Sequence, residues 1–514
     1  MGMAVANRTL LIKGARRAGA MRNSIAQQIS ILCVAWALAV GSALAEEATP
    51  VDSSKSPPTP RPDVSPPSIP SIGDSKSDFL ADIKARKSYW IPAGEIIGFE
   101  VLLNAINRTN SDDYNSSMSS IEDNLGSSWN TDSDPFATNQ LGHPYAGSIY
   151  HGFARSAGLN FWESLGYTVA GSAAWEIAGE TSPPSYNDQI STGIGGSFLG
   201  EALFRMSNLV LEKANMSSGW RELSAALISP PTGFNRLAFG DRFDLIYPSG
   251  DAAYYGRVSL GVSTVTDSNS GTSANVTQNE GIVDFSLDYG LPGKPGYNYN
   301  HPFDLFAFKV TASTANGLEN LMTRGLLVGD DYEAGKNYRG VWGLYGSFDY
   351  IEPQIYRVSS TALSLGTTAQ WWLSKSIALQ GSALAGVGYA AVGTVNGTTE
   401  NDYNYGVAPQ ALMALRLIFG DRVALDTTTR GYFVKDVGGA DEAGHDNIYR
   451  TDVAFTVRVY RQHAVSVRYL LNRRDTSSPN FGDRSQSNAT VGLFYTFLGN
   501  DGFGVVEWRD SGAR

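Results

Sequence analysis

From about residue 250 onward, apolar and polar residues alternate one by one. Val258, Leu260 and Val262 interleave with Arg257, Ser259 and Ser263. Val283, Phe285, Leu287 and Tyr289 interleave with Asp284, Ser286 and Asp288. Val453, Phe455, Val457 and Val459 do the same with Asp452, Thr456 and Arg458, and Val465, Val467 and Tyr469 with Ser466 and Arg468. A period of two marks strands with one apolar and one polar face. About twelve such strands fit between residues 250 and 498. From 78 to 245 the period is helical: after Pro92, the residues Ile96, Phe99, Leu103 and Ile106 share one helix face. The pattern predicts an α+β chain, with an N-terminal α-helical hairpin domain followed by an antiparallel transmembrane β-barrel.

Strand length and aromatic placement favour a membrane barrel over a soluble sandwich. The strands run to ten residues or more, longer than sandwich strands usually are. Trp342, Trp371, Trp372, Tyr389, Tyr432 and Tyr460 fall near strand ends, where a barrel carries its aromatic girdles. Long connections at 391–403, 435–447 and 474–487 alternate with short ones at 374–375, 419–422 and 461–463. Long outer loops and short periplasmic turns are the expected asymmetry. The strand from Thr490 to Phe497 resembles the insertion signal on the final strand of bacterial outer-membrane barrels. That resemblance implies two partners, the barrel-assembly machinery and the lipids of the outer membrane. Beyond it, Asn500-Asp501-Gly502 is a turn signal. Phe503–Trp508 is too short for another spanning strand, so 499–514 is expected to be a periplasmic tail.

The N-terminus places the chain in the envelope. Arg8, Lys13, Arg16, Arg17 and Arg22 precede an apolar run from Ile29 to Val40, and Ala43-Leu44-Ala45 is a small-x-small cleavage site. Residues 1–45 therefore read as a signal peptide. The single cysteine, Cys33, lies inside it, so the exported chain is expected to form no disulfide. Residues 46–77 are rich in Pro, Ser and Asp and read as a disordered linker. Removing the five leader bases from the 39 Lys and Arg leaves 34 against 50 Asp and Glu. An acidic chain of this kind argues against nucleic acid as a partner.

The candidate chemistry sits in residues 142–213. The block reads HPYAGSIYHGFARSAGLNFWESLGYTVAGSAAWEIAGE and then PPSYNDQISTGIGGSFLGEALFR. It is expected to form a hairpin with arms near 149–178 and 187–213. Gly166, Ala170 and Ala174 on the first arm, and Gly196 and Gly200 on the second, are small residues spaced for close helix approach. The block resembles a bacterial family of exported proteins known as domain of unknown function 3943. The resemblance implies an envelope protein and brings no activity with it. His151, Glu163, Glu176 and Asp188 are the candidate catalytic residues, because ionisable groups among glycines and aromatics can build a buried acid–base site. The alternative is that these groups cap helices and that Glu201 and Arg205 form an ion pair one turn apart. His143 and His151 lack a compact ligand spacing, so no metal and no cofactor are expected. None of the five histidines has Ser two residues on, and no Gly-x-Ser-x-Gly elbow occurs, which disfavours familiar lipases.

Three functions follow as expectations. The first is an outer-membrane barrel whose helical domain plugs or caps it on the periplasmic side. The second is an envelope enzyme acting on lipid or glycan, with its site in 143–205. The third is a soluble periplasmic binding protein.

Overall fold

The computed structural model describes residues 84–109, 111–132, 134–213, 216–270, 276–394, 402–439, 444–479, 482–500 and 502–509. The expected leader and linker lie outside them. Twelve antiparallel strands close into a barrel. They are β1 (Tyr254–Asn269), β2 (Asn279–Tyr289), β3 (Phe306–Ser313), β4 (Gly317–Ala334), β5 (Tyr338–Ile351), β6 (Tyr356–Trp372), β7 (Ile377–Thr394), β8 (Tyr403–Phe419), β9 (Val423–Gly439), β10 (His445–Tyr460), β11 (His463–Ser478) and β12 (Gly482–Leu498). β12 closes the ring on β1, with Val258 opposite Phe497 and Leu260 opposite Tyr495.

The alternation becomes an inner and an outer wall. On β12, Val491, Leu493 and Tyr495 are exposed outward, while Phe494, Thr496 and Leu498 point in and are buried. The lumen is filled in three layers. Ion pairs cross its middle: Arg257 to Asp426 at 2.9 Å, Lys309 to Asp452 at 2.9 Å, Arg430 to Asp349 at 2.8 Å and Arg416 to Asp288 at 3.0 Å. Towards the end where β1 turns into β2, the inward residues Tyr356, Val358, Val392, Val434 and Ile448 pack into an apolar layer. At the opposite end, beside Tyr254 and Leu498, the chain after β12 turns back into the barrel mouth. Phe503 and Val506 pack there against Tyr255, Ile418, Ala424, Ala464 and Leu498. Gln370 donates to the carbonyl of Val506 at 2.7 Å and accepts from its N–H at 2.9 Å, and Gln380 donates to the carbonyl of Gly504 at 2.7 Å.

The connections depart from expectation. The supposed long loops shrink to 395–402, 440–444 and 479–481, because strands of 16 to 18 residues claim their flanks. A spanning strand needs about 9–11 residues, so these strands stand clear of a bilayer. The longest connection, 290–305, lies instead at the end that holds the tail.

The helices are α1 (Trp90–Asn107), α2 (Met118–Gly126), α3 (His143–Ser156), α4 (Phe161–Ala178), α5 (Gly196–Leu211), α6 (Ser218–Ile228) and α7 (Pro230–Phe239). The π-helical stretches Thr138–Gly142 and Gln189–Gly195 lead into α3 and α5. The expected first arm is broken between α3 and α4 at Gly158, whose φ is 90°. The tight contact is therefore α3 on α5: a Cβ on Gly196 would lie 2.6 Å from Gly147 Cα. Gly166, Ala170 and Ala174, expected to face a partner helix, are exposed instead.

The helical domain packs on the outside of the barrel. Phe285 stands opposite Val258 and Val310, on the face away from the luminal Asp284. Phe285, Leu287, Tyr289, Phe306, Phe308, Phe348, Tyr350, Tyr403 and Tyr405 all face outward. They are buried under Phe136, Phe161, Phe198, Ala202, Met206 and Leu209 of the helical domain. The Phe198 ring lies over Gly346, where a Cβ would come within 2.5 Å of it. The 290–305 connection climbs the same wall. Its Phe303 (φ 65°) faces Phe161 and Phe198 at 5.9 and 6.2 Å. The expected plug or cap is thus corrected: among the described residues no helical side chain lines the luminal cavity. The physical reason is that charge already fills the lumen, whereas the aromatic outer wall of β2–β8 matches the apolar face of α5.

Candidate functional site

The four candidate residues fall in three places. Glu163 belongs to the start of α4. Its N–H donates to Asn160 Oδ1 at 3.0 Å and its Oε2 accepts from the Asn160 N–H at 2.8 Å, a reciprocal capping box. Lys87 Nζ donates to both of its oxygens, at 2.6 and 2.8 Å, and the Tyr89 hydroxyl donates at 2.9 Å. These contacts fix the helix start.

His151, on α3, lies in a buried ion network centred on Glu201 of α5. Glu201 accepts from Arg155 Nε at 2.7 Å and Arg205 Nε at 2.9 Å, with His151 Nε2 at 3.1 Å. Arg205 continues to Asp304 at 3.0 Å, tying α5 to the 290–305 connection. Burial alone would raise Glu201, but Arg155, His151 and Arg205 outweigh it and hold the carboxyl well below the usual carboxylate range. Burial lowers His151, and its Nδ1 has no partner. This network cross-links α3, α5 and the barrel.

Glu176 and Asp188 do come together, and they bring His143 with them. Asp188 follows the Ser185 cap, whose hydroxyl donates to its Oδ2, and Asn187 Nδ2 donates to its Oδ1 at 2.9 Å. Glu176 Oε2 accepts the Ser185 N–H at 2.9 Å, while Oε1 is buried with no partner. His143 Nδ1 sits 3.0 Å from the Thr192 hydroxyl. Burial raises Glu176, and the charge of Asp188 raises it further. Burial opposes the charged imidazole of His143, but Asp188 and Glu176 outweigh it and push the group up to about 9. The cluster sets two acids near one imidazole, close enough for their charges to raise it. Its position was hidden in sequence because π-helical turns, which no short motif encodes, bring 143 and 188 to one place. Among the described residues no three His, Cys, Asp or Glu side chains are grouped to hold a metal ion.

α1 packs Ile96 and Phe99 against α3 but leaves Trp90, Ile97, Val101, Leu102 and Ile106 exposed. Glu95 and Glu100 point inward, and burial raises them to about 7 beside Asn235 and to about 8 beside Tyr150. Among the described residues no helix is long and apolar enough to cross a membrane.

The chain is similar to several solved outer-membrane proteins. One is the outer membrane channel DcaP of Acinetobacter baumannii (10% identity, 48% of this chain and 97% of that one, TM-score 0.23). Others are NanC porin (6%, 46% and 98%, TM-score 0.24) and the outer membrane protease OmpT from Escherichia coli (9%, 50% and 99%, TM-score 0.19). No curated protein matches the chain. Residues 128–231, from the loop before α3 to the first turn of α7, match the family described as "Domain of unknown function (DUF3943)". The stretch that is similar to this family lies within the helical body, which is seated on a closed barrel of twelve strands.

Proposed function

We propose that this chain is an outer-membrane protein whose closed barrel serves as an anchor, while its helical domain, held against the barrel's flank, meets the envelope's lipids. The observation that carries the reading is the outer wall itself. One flank, β9–β12 with β1, bares Leu260, Val262, Val459 and Leu493 at 56–67% exposure. Part of the wall on the other strands is covered by helices whose own outer surface is apolar along α1, and Val328, Leu365 and Val387 stay bare beside them. An apolar belt of this kind suits lipid and is costly in water, which argues against the soluble periplasmic reading. Among the described residues no helix is long and apolar enough to span, and on this reading the helices lie along the barrel at the level of the lipid. The test pairs outer-membrane fractionation and heat-modifiable migration with planar-bilayer recordings. The whole protein should insert and carry no steady current, and removal of residues 84–245 should not open a channel. A channel that appears only in that deletion would restore the plug and overturn this reading.

A second reading, an enzyme acting on envelope lipid, is favoured by one observation. The buried, unpartnered Glu176 Oε1 lies in the same cluster as His143, an imidazole held in its charged form beside the Thr192 hydroxyl at 3.0 Å and so able to donate a proton as a general acid. Cells overproducing the protein should then change their lipid profile by mass spectrometry, and His143→Gln should not. Identical profiles would remove this reading.

A further inference from the structure

We propose that the barrel lumen holds a binding site for a small oxyanion, a carboxylate or phosphate, with Arg324 as the group that recognises it. A cavity of about 170 Å³ lies in the middle layer of the lumen, and Arg257, Lys309, Arg324, Arg416, Arg430 and Arg468 are among the residues lining it. The carboxylates around it are already taken. Asp284 is shared by Lys309 (3.5 Å) and Arg468 (3.6 Å), and Asp426 by Arg257 (2.9 Å) and Arg416 (2.7 Å). Asp452 is held by Lys309 at 2.9 Å and by Arg468 Nε at 2.7 Å. Arg324, on β4, has no carboxylate within 4 Å and no hydrogen bond among the described residues. The acids whose charge reaches it are Asp288 and Asp349. They are bound by Arg416 at 3.0 Å and Arg430 at 2.8 Å.

A guanidinium left without a counter-ion in an enclosed space is unfavourable. Its planar fork fits two oxygens of one anion, a match that a lone halide or an apolar molecule does not offer. The surplus of positive charge around the cavity excludes a cation. The volume admits a phosphate or a short carboxylate. Access runs past the tail, because Gln380, which lines the cavity, is also the side chain that holds Gly504.

The experiment is equilibrium dialysis of labelled inorganic phosphate against the full chain folded in detergent, with acetate as competitor. One phosphate per chain should bind, and Arg324→Gln, checked for heat-modifiable migration, should weaken it roughly tenfold or more. Arg324→Lys should keep part of the affinity. Competition by acetate at equal concentration marks a carboxylate ligand, and its failure marks a phosphoryl one. Absence of bound phosphate and acetate, or equal binding by Arg324→Gln, overturns the proposal. Should Arg324→Gln fail to fold, phosphate soaked into crystals of the unaltered chain decides: density at Arg324 supports the site, and its absence there overturns it.

Discussion

The two flanks of this barrel are built from the same kinds of residue and serve different neighbours. On β12 and β1 the outward Leu493, Tyr495, Leu260 and Val262 are bare. On β2, β3 and β5 the outward Phe285, Phe308 and Phe348 are buried under α5 and its companions. The difference lies in shape. The covered flank carries rings, a bare Gly346 that receives Phe198, and a connection that supplies Phe303 as a second layer. The bare flank mixes aliphatics such as Leu260, Val262 and Leu493 with the rings of Tyr449, Phe455 and Tyr495. An apolar outer wall states only that water is excluded; relief decides whether lipid or protein does the excluding.

Three experiments press on that difference. The largest effect is expected on the covered flank. Phe308→Ala with Phe348→Ala should each cost about 3–5 kcal/mol of packing. Together they should free the helical domain for limited proteolysis while the barrel stays heat-modifiable. Resistance equal to the parent would mean that the wall does not hold the helices. Next, Leu493→Arg on the bare flank should destabilise the folded barrel in vesicles by about 2–4 kcal/mol, measured by urea titration. A change below the error of the titration would show that this flank does not face hydrocarbon.

The smallest effect is in pH. His143 is pushed up from its ordinary 6.5 to about 9. Its contribution is therefore complete below about pH 6.5 and is lost as pH rises through 9. Glu176, also raised, loses stability in the same direction. Helical circular dichroism should show a melting transition weakened by on the order of 2 kcal/mol at alkaline pH, and His143→Gln should remove the part of the loss centred near pH 9 while the part set by Glu176, Glu95 and Glu100 at lower pH remains. A transition that strengthens with pH would contradict the cluster's electrostatics.

The barrel was legible because its signal is local. Alternation in segments such as Val283–Tyr289 needs only a period of two, and it yielded the closed twelve-stranded ring. The seat of the helices was not legible. Phe285 and Leu493 are indistinguishable as apolar outward residues, and the pattern carries no word on which of them a helix will cover. The lumen was half legible: Arg257, Asp284, Lys309, Asp452 and Arg468 stand at polar positions of their strands, but which base meets which acid across the ring depends on tilt and register. Among the candidates, Glu163 had a capping signature with Asn160 three residues before it, which explains its acidity without chemistry. The meeting of His143, Glu176 and Asp188 depends on two widened helical turns that alternation and helical period leave unmarked.

The tail in the barrel mouth has a consequence in time. Its seat is assembled from Tyr255 on the first strand, Gln370 and Gln380 on the sixth and seventh, Ile418 and Ala424 on the eighth and ninth, and Ala464 on the eleventh. No partial sheet presents that set of groups, because Tyr255 and Ala464 become neighbours of one site only when the first strand meets the twelfth. Docking of Phe503 and Val506 is therefore the closing event of assembly, and an undocked tail marks a ring that has not yet been completed.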